Sequence, residues 1–110
     1  QSHWMWYIFP QIAGLGFSST SRFYAITDLD EARAYMQHPM LGTHMIEICE
    51  ALLKLSVNNA EDVMGYPDDL KLRSSMTLFS QAIPGVKIFQ QVLDKYFDGK
   101  MDQKTLDKLK

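Results

Sequence analysis

The sequence predicts a compact, multihelical all-α fold, and three observations carry that expectation. Helix-start and helix-stop residues punctuate the chain at short intervals, apolar residues recur three and four apart between them, and prolines stand where helices would begin. With 110 residues, 46% of them hydrophobic and 22% charged, the chain has the size of a single domain (1–110) with one core.

The elements follow in order. Asp28 with Glu31 is an N-terminal capping signal, and Leu29, Ala32, Tyr35 and Met36 then recur at helical spacing. His38-Pro39 ends that helix, because proline clashes inside a helix yet suits the first turn of the next. A second helix over 39–55 carries Met40, Leu41, Met45, Ile46, Ile48, Cys49, Leu52, Leu53 and Leu55 around more than half its circumference. Only Thr43, Glu47, Glu50 and Lys54 form a polar stripe, so the sequence singles this helix out as the central one.

Asn58-Asn59 opens a short helical turn that Gly65 closes, and Pro67 starts a helix reaching about residue 82. Pro84-Gly85 is a turn. A helix over 86–97 has Ile88, Phe89, Val92, Leu93 and Tyr96 on one side and ends at Gly99. Asp102 caps a last short helix with Leu106 and Leu109. Ser18, Ser19 or Ser21 would cap a short helix through Phe23 and Tyr24, unless that stretch forms a strand.

The most hydrophobic segment is residues 4–9, six large apolar or aromatic side chains closed by Pro10. Such a run belongs in an interior. His3 before it, and Gln11, Gly14 and Gly16 after it, put polar and backbone donors at the rim, a combination that suits a pocket. The chain lacks an initiator Met and opens almost directly on this segment, so further residues are expected ahead of Gln1.

Net charge is −2, which argues against a nucleic-acid partner, since domains that track phosphates are usually basic. Lys95, Lys100, Lys104, Lys108 and Lys110 do gather near the C-terminus, but Asp94, Asp98, Asp102 and Asp107 alternate with them as on a solvated helical surface. Cys49 is the single cysteine, which excludes an internal disulfide and a cysteine-rich zinc site, and its apolar setting reads as a buried structural thiol. No apolar run reaches membrane-spanning length, and a cytoplasmic setting without a membrane partner fits best.

The helix from Pro67 offers the sharpest chemical clue. At about 100° per residue, Leu72, Met76, Leu78, Phe79 and Ala82 define one inward arc, and Asp68, Lys71 and Ser75 fall inside it. Arg73, Ser74 and Thr77 point elsewhere. A charge on a core-facing side must be paired or must border a cavity, because an unpaired buried charge costs several kcal/mol. Either Asp68 and Lys71 pair at the margin of the core, or Lys71 and Ser75 line a ligand pocket.

His3, His38 and His44 show no close ligand pair, so no metal is expected, nor any cofactor. His38 reads as a helix-boundary residue, whereas His3 abuts the aromatic run and either makes a structural hydrogen bond or transfers a proton. Gly14-Leu15-Gly16 is either a tight turn or a loop offering N–H groups to an anion. The serines have no readable base partner, which leaves a serine nucleophile unsupported and any catalytic role unassigned.

Several of these stretches carry a resemblance. His-Trp-Met-Trp-Tyr-Ile-Phe-Pro-Gln at 3–11, Gly-Leu-Gly at 14–16 and His-Pro-x-Leu-Gly at 38–42 resemble the bacterial domain-of-unknown-function family eighteen-ten. So do Lys-Leu-x-Ser-Ser-Met-Thr-Leu-Phe at 71–79 and Val-Leu-Asp-Lys-Tyr-Phe-x-Gly at 92–99. The resemblance implies a compact all-helical protein with no established activity. It marks His3, Trp4, Trp6, Pro10, Gln11, Gly14, Gly16, Tyr24, His38, Lys71, Ser74 and Ser75 as motif residues. Two departures stand out: the family carries a helical segment ahead of the His-Trp motif, and it tends to place Arg where this chain has His44, which weakens an anion-binding role there.

The expectation drawn together is a pocket for a small anionic or nucleotide-like ligand, lined by His3, Trp4, Trp6, Gln11, Gly14, Gly16, Lys71, Ser74 and Ser75. Lys71 would pair with negative charge and Trp4 or Trp6 would stack on a ring. The alternative is an interaction module, a homodimer whose partner covers the aromatic N-terminal segment.

Overall fold

The computed structural model describes residues 26, 28–56, 59 and 68–109. They form five α-helices: α1 (Leu29–Gln37), α2 (Pro39–Lys54), α3 (Asp68–Ala82), α4 (Ile88–Phe97) and α5 (Gln103–Lys108). The all-α expectation holds among the described residues, and the expected helices between 28 and 109 lie where the sequence places them, apart from small shifts at their ends. The expected turn of helix from Asn58 to Gly65 and the segment 18–24 lie outside the described residues, except for Asn59.

Local chemistry sets the helix ends. The Asp28 carboxylate accepts the Glu31 amide at 2.9 Å and so pairs one of the donors that a helix leaves open at its start. His38 serves two helices at once. Its N–H donates to Ala34 O and Tyr35 O at the end of α1, while its Nδ1 accepts from the Met40 and Leu41 amides at the start of α2. Asp102 accepts from the Thr105 amide and hydroxyl and starts α5. Helix α4 begins two residues later than the sequence suggests, because the Val86 amide donates back to Ile83 O and completes the turn after α3. Asp98, at φ 55, and Gly99, at φ 76, end α4 in the left-handed conformation.

The most enclosed of these helices is α3, which packs against α1, α4 and α5, whereas α2 packs against α1 and α4. Every residue from 74 to 80 is buried, so this stretch of α3 is covered on all sides. In α2 only Gly42, Met45, Cys49 and Leu52 are buried, one stripe of the helix, and Met40 stays 75% exposed. The central place that the apolar count assigned to 39–55 therefore passes to α3. The physical reason is side-chain size and self-satisfaction. Thr77 and Ser80 donate to the carbonyls of Arg73 and Thr77 at 2.8 Å, which lets hydroxyl residues enter a core without an unpaired donor.

The core gathers where these helices meet. The Phe79 ring stands 5.5 Å from Tyr35 and 5.6 Å from Phe89, and Cys49 Sγ lies 3.7 Å from Met76 Sδ. Helices α1 and α2 approach closely at Gly42, where a Cβ would stand 2.0 Å from Met36 O. No described helix is long and apolar enough to cross a membrane.

Candidate functional site

Three of the expected site residues, Lys71, Ser74 and Ser75, stand on consecutive turns of α3. Lys71 is half-buried and engaged with a partner. Ser75 is 0% exposed, and its hydroxyl has no hydrogen-bond partner. A buried hydroxyl left unpaired costs about 1–3 kcal/mol, so such a group calls for a water or a ligand to meet it. Lys71 and Ser75 are four apart and share one side of the helix, as expected.

Ser74 and Thr77 depart from the expectation. The helical wheel turned both away from the interior, yet Ser74 is 6% and Thr77 0% exposed. For Thr77 the cause is the segment after α4, which closes over that side of α3. Arg73 Nε donates to Lys100 O at 3.0 Å and Arg73 Nη2 to Met101 O at 2.9 Å, while Thr77 Oγ1 accepts the Asp102 amide at 2.8 Å. Arg73 therefore anchors a loop instead of facing solvent alone. Nothing periodic in the sequence could signal this, because the covering strip comes from 25–28 residues further along the chain.

His3, Trp4, Trp6, Gln11, Gly14 and Gly16 lie outside the described residues, as does the side chain of Asp68. Lys71, Ser74 and Ser75 are the members of the expected set among the described residues. His38 occupies the helix boundary that the sequence assigned to it, and His44 is exposed on α2. Among the described residues no three His, Cys, Asp or Glu side chains gather as metal ligands would.

Cys49 is fully enclosed, and burial pushes its thiol up to about 12, with Glu50 adding to the effect. A thiol held neutral in this way is a packing group and not a nucleophile. Burial likewise pushes the Tyr35 hydroxyl up to about 12.

One concavity was not expected from the sequence. An open groove of about 400 Å³ runs between the last turns of α3, the turn at Pro84 and the outer side of α4. Lys87 and Asp94 border it seven residues apart. That i, i+7 spacing of opposite charges with glutamines between them was the available signal, hidden by the alternation of Lys and Asp that follows.

The fold and the α3 arc define a small all-α protein with a polar strip set into its most enclosed helix. The family model described as a protein of unknown function, DUF1810, matches residues 1–109, and the chain belongs to that family. A crystal structure of the conserved hypothetical protein Rv1873 from Mycobacterium tuberculosis is similar, with 42% identity and a TM-score of 0.95. The match covers 99% of this chain and 78% of that one. No curated protein matches the chain.

Proposed function

We propose that the chain, as one helical domain over 1–110, binds a small anionic or nucleotide-like ligand at the Lys71–Ser75 side of α3. The observation that carries this reading is the Ser75 hydroxyl, wholly buried and without a hydrogen-bond partner. An arc with a half-buried cation and an unpaired donor one turn away suits a negatively charged, acceptor-rich group. Ser74 adjoins it. The aromatic Trp4 and Trp6 would stack on a ring, and His3, Gln11, Gly14 and Gly16 would supply polar and backbone contacts at the rim.

The test is a thermal-shift screen of nucleotides, dinucleotides and sugar phosphates, with Lys71→Ala and Ser75→Ala beside the parent chain. A ligand present at a hundred times its dissociation constant adds about 2.7 kcal/mol to folded-state stability. The reading expects a hit that both substitutions weaken by about tenfold or more. Silence across the panel overturns it and favours the alternative, a homodimer formed through the surface around Trp4 and Trp6, which sedimentation would reveal.

A further inference from the structure

The groove along α4 lies apart from the α3 arc and has an ordered chemistry of its own. Lys87, Gln90, Gln91 and Asp94 border it at i, i+3, i+4 and i+7, a single stripe of the helix. At about 1.5 Å of rise per residue, the Lys87 and Asp94 backbone positions stand about 10 Å apart along the axis. Two side-chain amides lie between them, and Gln81 joins them from α3. Each primary amide offers donors and an acceptor together, as a peptide unit does. Met101 contributes apolar wall, and the volume of about 400 Å³ falls within the range of small-ligand sites.

The two ends of the groove differ in sign twice over. Lys87 occupies the N-cap of α4 and makes no side-chain capping bond, so the positive end of the helix dipole adds to the lysine charge. At the other end Asp94 Oδ1 accepts from Gln90 Nε2 at 3.0 Å, which leaves its second oxygen for another donor. Lys87 is exposed and has no ion pair among the described residues. An occupant that matches this order carries an anion at one end, a cation at the other and amide groups between.

We propose that this groove binds short peptides with free termini. The terminal carboxylate lies at Lys87 and the start of α4, and the terminal ammonium at Asp94. An extended chain advances about 3.3–3.6 Å per residue, so three residues span the roughly 10 Å between the two helix positions. The glutamine amides pair with the peptide units in between, and Met101 meets the side chains.

The experiment is an amide-resolved NMR titration of the whole chain with trialanine and with N-acetyl-trialanine amide. Trialanine is expected to shift the signals of residues 87–94 and 101, and the blocked peptide to bind at least about tenfold more weakly, since both terminal charge pairs are gone. Lys87→Met and Asp94→Asn, both exposed positions, are each expected to weaken trialanine binding several-fold, to roughly the same extent. Equal binding of the blocked peptide overturns the proposal, as do shifts confined to other residues. So does the absence of any shift at about 10 mM peptide, a concentration that saturates even a millimolar site.

Discussion

The ammonium of Lys95, on α4, lies 3.0 Å from the carbonyl oxygen of Leu52, in the last turn of α2. It stands 2.9 Å from Leu53 O and donates to Leu55 O as well, so its three N–H groups all meet carbonyls near the end of α2. Tyr96 Oη donates to the same Leu52 O at 2.5 Å. Arg33, on α1, closes α3 in the same way, with Nε 2.9 Å from Ala82 O. Cations from neighbouring helices thus complete the negative ends of α2 and α3, and local capping becomes tertiary attachment.

Lys95→Met is expected to lower the unfolding free energy by about 1.5–3 kcal/mol, the range for hydrogen bonds to a charged group. Urea denaturation at neutral pH measures it. A loss below about 0.5 kcal/mol, the usual effect of a neutral surface change, would show that water caps α2 equally well.

The crossing of α1 and α2 depends on Gly42. With a Cβ placed 2.0 Å from Met36 O and 2.9 Å from Met36 C, backbone and not a pliable side chain stands in the way. Gly42→Ala is expected to cost about 3 kcal/mol or more, or to prevent folding, because the two helices must separate. Gly85 is the control, since nothing lies within 4 Å of its Cβ position. Gly85→Ala is expected to leave stability unchanged or raise it by about 0.4–1 kcal/mol through the unfolded chain. Similar losses at both positions would remove the close approach as the cause.

How far these features are legible in the sequence depends on the reach of the interaction. Asp28, His38 and Asp102 act on amides two or three residues away, so helix starts can be read directly. The enclosure of α3 cannot, because Thr77 and Ser80 look polar until their hydroxyls are followed to Arg73 O, Thr77 O and Asp102 N. Counting apolar residues therefore promoted α2 over α3. On the site side, Lys71 and Ser75 were legible as intruders in an apolar arc. The groove along α4 was not, since half of its wall comes from α3 and the turn that follows.

Stability is expected to fall with rising pH above about 9. The folded Cys49 thiol titrates near 12 and the unfolded one near 9.0, so between those values the folded chain holds a proton that the unfolded chain has lost. The stability contributed by the neutral thiol is fully present below pH 9 and is lost as pH climbs toward 12, at up to about 1.4 kcal/mol per pH unit. Tyr35 adds a second loss from about pH 10 upward, with the same sign. Urea denaturation from pH 8 to 11 checks this, and Cys49→Ala should flatten the curve between pH 9 and 10, before Tyr35 contributes. A slope that survives Cys49→Ala unchanged in that interval would place the titrating group elsewhere.

Ser75 separates structure from function most sharply. A hydroxyl that completes a fold stabilises it, and its removal costs about 1 kcal/mol, as for an ordinary hydrogen bond. Ser75 has no such bond, so Ser75→Ala removes an unpaired polar atom from a fully buried position. The ligand-free chain is then expected to be as stable as the parent or more stable by about 1 kcal/mol. The same substitution is expected to weaken the ligand found in the thermal-shift screen by about tenfold or more, because the ligand is the partner the hydroxyl lacks. Stability gained and binding lost in one variant marks a group kept for recognition. A drop in ligand-free stability would instead mean that Ser75 meets a fixed water in the core, and the α3 arc would lose its strongest claim as a site.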